Sequence, residues 1–204
     1  MAIVVTENKF IDKLKDLSKI GSKKSMTDSL DWFRNKVKEV KGKAFPAARK
    51  LRRELEDEGR LRAVPDLGKM YFYNYNPKYK EKLPYYDIFP LIFPFKYETK
   101  PNKGWWGINL HYLPIPLRIR LLDELMDYST DTNFDNKTKI NTDYQKLKNV
   151  KLIKPTLKRY LAGHVKSAFR RIDGDEFTVA TLLPVQRFSK TSAAKVWNDS
   201  RSMI

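Results

Sequence analysis

Hydrophobic and polar residues first change their period near Gly68. Before that point the apolar positions recur at helical spacing. Residues 7–20 bring Phe10, Ile11, Leu14, Leu17 and Ile20 to one side. Residues 27–41 do the same with Leu30, Phe33, Val37 and Val40, behind Thr27 or Asp28 as N-cap. A third helix is expected from Pro46 to near Glu58, since proline suits a first helical turn.

After Gly68 the runs become aromatic and β-branched. KMYFYNYN (69–76), DIFPLIFPFKYE (87–98) and GWWGINLHY (104–112) are bounded by Pro, Gly and Asn and predict three strands. Pro90 and Pro94 cannot donate to a ladder, so the second strand is expected to be an edge, bulged or short. Helical spacing returns from Leu117 through Leu121, Leu122, Leu125 and Met126. Residues 129–143 are polar and turn-rich and predict an exposed loop. The segment 153–173 predicts a strong basic helix stopped by DGD, 176–188 a fourth strand, and the tail a last short helix.

Four short strands with few helices between them place the chain in the α+β class. The expectation is a small bent antiparallel sheet or an SH3-like barrel surrounded by helices. Residues 1–64 form an N-terminal basic helical region in this reading. Residues 65–204 form a β-core domain carrying the basic helix 153–173 and a C-terminal tail.

Charge then changes the picture. The 204 residues hold 41 Lys and Arg against 24 Asp and Glu, a net charge of +17. Residues 1–64 carry 17 basic and 10 acidic side chains, 65–128 carry 9 and 7, and 129–204 carry 15 and 7. The excess sits at both ends around a nearly neutral aromatic middle. A basic surface of this kind attracts phosphate polymers, or docks on an acidic partner. There is no cysteine, which excludes disulfides, thiolate zinc sites and a cysteine nucleophile. No stretch reaches the roughly 18–20 apolar residues of a membrane span, and the N-terminus lacks a signal-peptide core. No membrane association is expected.

Candidate chemistry is sparse. In GWWGINLHYLP (104–114), strand alternation sends Trp106, Ile108, Leu110 and Tyr112 to an apolar core face. Trp105, Gly107, Asn109 and His111 take the other face, where Trp105 could stack on a base. His111 reads as a structural, hydrogen-bonded residue. A metal-dependent nuclease would need converging carboxylates, and Asp87, Asp123 and Glu124 are scattered. Phosphate-binding loops, dinucleotide fingerprints, zincin motifs and nucleophile elbows are absent from the sequence. No catalytic residue, metal, cofactor or small-molecule substrate is expected.

The basic residues are the better candidates for contact with a ligand. On a helix at about 100° per residue, Lys158, Arg159, Lys166 and Arg170 share one stripe opposite Leu157, Leu161, Val165 and Phe169. Arg49, Lys50, Arg52 and Arg53 make a second cluster. Neither has the side chains that read base edges, so phosphate contact with little sequence preference is expected.

Two stretches taken together carry a resemblance. GKMYFYNYNPKYKEKLPYYDIFPLIFPF followed by GWWGINLHYLPIPLRIRLLDEL, with the tail LLPVQRFSKTSAAKVWNDSR, is similar to the DNA end protector proteins of T-even-like tailed phages. The likeness covers roughly residues 68–126 and 176–201. It implies a virion protein near the head–tail junction, present in the host cytoplasm during assembly. Such a protein binds the ends of packaged linear double-stranded DNA, shields them from host exonuclease and touches other phage head, neck or tail proteins. The pattern supplies no catalytic residue, so Tyr85, Tyr86, Asp87, Pro90, Gly107, Asn109, His111, Tyr112 and Leu113 are fold-defining in this reading. A structural connector of the neck, tail or baseplate, docking by its basic ends on other virion subunits, is the alternative.

Overall fold

The aromatic runs after Gly68 pair into one open sheet. In the computed structural model, which describes residues 59–130 and 135–204, the strands are β1 (Leu61–Arg62), β2 (Met70–Phe72), β3 (Tyr86–Asp87), β4 (Leu91–Tyr97), β5 (Gly104–Asn109), β6 (Leu157–Leu161), β7 (Phe169–Ile172) and β8 (Phe188–Ser189). Six of them form a sheet in the order β1-β7-β2-β4-β5-β6, and β3 pairs with β8 in a separate two-stranded ladder. All pairings are antiparallel. Five helices complete the described residues: α1 (Ile115–Met126), α2 (Tyr144–Leu147), α3 (Ile153–Thr156), α4 (Phe177–Leu182) and α5 (Ala193–Arg201). The class is α+β, and the sheet does not close into a barrel. Among the described residues no helix is long and apolar enough to cross a membrane.

Both faces of the sheet are covered, which is why β2 is buried at every position. Met70, Phe72, Leu91, Phe93 and Ile108 point to the side where Leu121, Leu122 and Leu125 of α1 and Phe177 of α4 pack. Tyr71, Tyr73, Ile92, Trp105, Tyr160 and Phe169 fill a smaller, aromatic core on the other side. The alternation expected in GWWGINLHY holds only over β5, since Leu110–Tyr112 form a 3-10 turn, and Trp106, expected on the core face, is the exposed indole. Trp105 is 1 % exposed inside the aromatic core, whereas Trp106 is 38 % exposed.

Pro94 does produce a bulge, with the β4–β5 register shifting between Pro94 and Lys96. The strand is nonetheless central, not an edge. Its carbonyl side stays useful, since Pro94 O accepts the Gly68 N–H at 2.7 Å. Leu61 and Arg62 already pair with β7, so the sheet starts inside the stretch expected to be N-terminal.

Two expected elements are replaced. Residues 153–173 are not one helix. The single turn α3 passes into β6, a 3-10 turn over Ala162–His164 and β7. Leu157 and Leu161 suit a helix or a strand, and the open edge of β5 decides for the strand, with Tyr160 beside Trp105 and Leu157 beside Ile108. Residues 176–188 are likewise no strand. Asp173 and Glu176 form a capping box, with the Glu176 carboxylate accepting the Asp173 N–H at 3.3 Å, and α4 follows. The DGD read as a helix stop is a helix start. Helices α1 and α5 fall where the spacing put them.

The turn into β5 depends on Gly104. Its φ is +157°, and an added Cβ would lie 2.2 Å from the Tyr160 carbonyl oxygen, an overlap that β6 backbone must move to relieve. Gly104→Ala is expected to destabilise the chain by roughly 3 kcal/mol or more, read as a shift of the urea midpoint. An unchanged midpoint would mean that β5 and β6 do not approach this closely.

Candidate nucleic-acid interface

Beyond β5 the chain turns through a 3-10 helix, Leu110–Tyr112, because the Asn109 side chain accepts the His111 N–H at 3.0 Å. The turn swings His111 inward to full burial. There its Nδ1 meets Asp87 Oδ2 at 2.8 Å, while Asn109 Nδ2 donates to the same carboxylate at 3.1 Å and to the Tyr160 hydroxyl at 3.0 Å. The other Asp87 oxygen accepts the Phe89 N–H at 3.1 Å. Burial lowers the His111 pKa and Asp87 pulls it back only in part, so the ring is neutral and donates from Nδ1. The His111 carbonyl accepts the Trp197 indole N–H at 3.0 Å, which ties α5 to this turn. These residues hold the β-core together, as the reading of His111 expected.

Arg118 continues the same construction from α1. It is fully buried, donating to Leu113 O at 2.7 Å and to the Gln186 side chain at 2.7 Å, and burial lowers it to about 10. The three carboxylates weighed for a nuclease are not brought together as a metal site. Asp87 is engaged as above, Asp123 and Glu124 lie on α1, and the described residues contain no cluster of three such groups.

The four cations expected on one stripe are separated, because the helix that aligned them does not form. Arg170 is 1 % exposed within β7, with burial lowering it to about 9 and Glu176 opposing the shift, so it is a core residue. Lys166 is exposed in the connection before β7, where its N–H bonds the Asn74 carbonyl at 2.8 Å. Lys158 and Arg159 are neighbours on β6 and so point to opposite faces of the sheet. Arg159 is exposed and meets Glu98 with two hydrogen bonds, at 2.6 and 3.0 Å. Arg49, Lys50, Arg52 and Arg53 lie outside the described residues.

Two features gather around Lys158 and Arg159. Lys96 of β4 is the register partner of Trp106 of β5, and Trp106 is the partner of Arg159 of β6. All three are exposed, so an indole sits between two cations on adjacent strands. On the other side of β6 a cavity of about 320 Å³ opens, walled by Tyr75, Tyr85, Tyr86, Tyr112 and Tyr160. Lys158 enters its wall with the ammonium 4.0 Å from the Tyr112 ring centroid and 2.7 Å from the Pro155 carbonyl. Arg159 also reaches the cavity rim.

Sequence reasoning puts Trp106 in the core and Tyr85, Tyr86 and Tyr112 among the fold-defining residues, and it does not single out Lys96, Tyr75 or Tyr160. The hairpin turn TKPNKG sets Lys96 near Trp106, but the Pro94 bulge displaces the count by which they could have been paired. The tyrosines come from three segments far apart in the chain.

Residues 2–200 match the family described as phage T4 terminal DNA protecting protein. No curated protein and no solved structure matches the chain. With nearly its whole length covered by that match, this chain belongs to the phage T4 terminal DNA protecting protein family.

Proposed function

We propose that this protein protects the ends of linear double-stranded phage DNA, as a DNA-binding component of the virion that holds the ends through phosphate contacts and blocks exonuclease. The family supports the end-protecting role. The observation that carries the contact mode is the exposed row Lys96–Trp106–Arg159 across three adjacent strands. Cations neutralise phosphates without regard to sequence, and an indole between them stacks on any base. Lys166 adds a further exposed charge, and Arg49, Lys50, Arg52 and Arg53 are further candidates for phosphate contact by their charge alone. The protein works by occupancy, without catalysis, beside other head, neck or tail proteins.

The test is binding of the full chain to linear and closed-circular duplexes across a salt series, followed by exonuclease challenge of the linear form. Steeply salt-sensitive binding that protects linear DNA is expected. Lys96→Glu and Lys166→Glu together are expected to lower affinity about tenfold or more and to flatten the salt slope by about 2. Exonuclease digestion at the unprotected rate, with DNA-binding absent near physiological salt, would overturn the proposal and favour docking on acidic virion subunits.

A further inference from the structure

The cavity beside β6 has a composition that the exposed row does not explain. Five tyrosines line it together with Pro77, Leu83, Pro84 and Leu157, and its volume of about 320 Å³ lies at the small end of small-molecule sites, which run from roughly 300 to 1,000 Å³. That space suits one flat ring with a sugar and does not suit a base pair. Tyr75 and Tyr160 already meet edge to face at 5.0 Å, and Tyr85 and Tyr112 lie 6.1 Å apart at a tilt, so ring faces and edges line the opening. Asp87 also lines the cavity, and its two oxygens are engaged by the Phe89 N–H, the Asn109 amide and His111 Nδ1.

Lys158 supplies the charge. Its stem is covered, its ammonium has a carbonyl and a ring as neighbours, and no carboxylate among the described residues forms an ion pair with it. Burial lowers its pKa to about 8, so near neutral pH the ammonium is charged but poorly solvated. A cation in that state gains more from an incoming anion than an exposed lysine does. Arg159, at the rim and also in the exposed row, joins the cavity to the surface proposed for duplex phosphates.

We infer that this cavity receives the unpaired terminal nucleotide of a DNA strand, its phosphate against Lys158 and its base among the tyrosines. The inference rests on the end-binding proposal and gives it a reason to prefer ends. An internal nucleotide is paired and continuous on both sides, whereas a terminal one can leave the stack at small cost. The strand would cross the β6 edge at Arg159 to enter.

The test compares full-length protein on duplexes with blunt ends, with phosphorylated two-nucleotide overhangs of either polarity, and on closed circles. Deoxyadenosine 5′-monophosphate serves as a separate small probe. The expected result is about tenfold or more preference for one phosphorylated overhang over the blunt end, the scale of the unpairing cost. In Lys158→Met, which keeps the buried stem, the overhang-to-blunt ratio is expected to fall close to one. Tyr85→Leu, at a half-buried wall position, is expected to reduce the same ratio, and urea midpoints show whether each variant is folded.

End binding with a ratio near one in the native protein, or a ratio unmoved in folded Lys158→Met and Tyr85→Leu, overturns the cavity assignment and leaves end protection standing. Binding of the monophosphate, lost in Lys158→Met, without discrimination between linear and circular DNA keeps a nucleotide site and overturns the DNA-end reading. Failure of both probes overturns both.

Discussion

Trp105→Ala is expected to lower the folding stability of the full chain by about 4 kcal/mol, the cost of emptying a large aromatic site in a core. The indole is 1 % exposed. It stacks on Tyr160 at 6.1 Å and meets Phe169 and Tyr73 edge-on at 5.1 and 6.0 Å. Such pairs add about 0.5–1.5 kcal/mol each beyond area burial. The walls of the resulting cavity belong to β2, β5, β6 and β7, whose backbones are tied to one another, so collapse around it is restricted. Trp106→Ala, one residue away, is expected to cost less than about 1 kcal/mol, since its ring is already partly in water. Urea denaturation of both variants checks the contrast. Equal midpoint shifts would show that the two tryptophans do not divide between core and surface in this way. The same pair separates stability from function, because only Trp106 belongs to the proposed DNA-binding row.

Asp87→Asn is expected to cost roughly 3–5 kcal/mol although it preserves the shape of the side chain. The carboxylate faces three donors, the Phe89 N–H, the Asn109 amide and His111 Nδ1. An amide in its place offers one acceptor and presents an NH2 group to a second donor. That leaves buried groups without partners at about 1–3 kcal/mol each, and it removes a charge that the neutral ring leans on. The acid side of the stability profile depends on the same cluster. His111 has a folded pKa below its ordinary 6.5, with burial the main cause. The unfolded chain therefore takes up this proton first. Stability is complete above about 6.5 and is lost as pH falls toward the lower folded value, at up to about 1.4 kcal/mol per pH unit. In His111→Gln that contribution is expected to vanish, leaving a shallower acid slope than the native chain. Superimposable slopes between pH 6.5 and 5 would show that His111 is not held neutral by burial.

Much of the β-core was legible because its signals are local. The aromatic runs with Pro, Gly and Asn at their borders gave β2, β4 and β5, and the spacing of Leu117, Leu121, Leu122 and Leu125 gave α1. The sequence could not show that both sheet faces are covered. Alternation separates Trp105 from Trp106, but with apolar residues on both sides it cannot tell which indole stays exposed. At 153–173 the leucines fit two periods, and the choice was made by β5, an element 50 residues upstream that needed a neighbour on its outer edge. Arg170 followed that choice into the core, which removed it from any surface stripe. The site suffered most, since Tyr75, Tyr85, Tyr112 and Lys158 meet only through pairings that no local pattern encodes.

The sheet order also sets the order of events during synthesis. Strand β7 (Phe169–Ile172) sits between β1 and β2, so Leu61–Arg62 and Met70–Phe72 have no shared neighbour until residues 169–172 leave the ribosome. Until then the nascent chain offers an unpaired β2 backbone edge flanked by aromatic side chains, the kind of surface that invites pairing with another chain. A message cut short before residue 172 yields an incomplete sheet with that edge still open. Rapid completion of each chain, or a chaperone on the ribosome, thus matters more for this protein than for one whose sheet is built in sequence order.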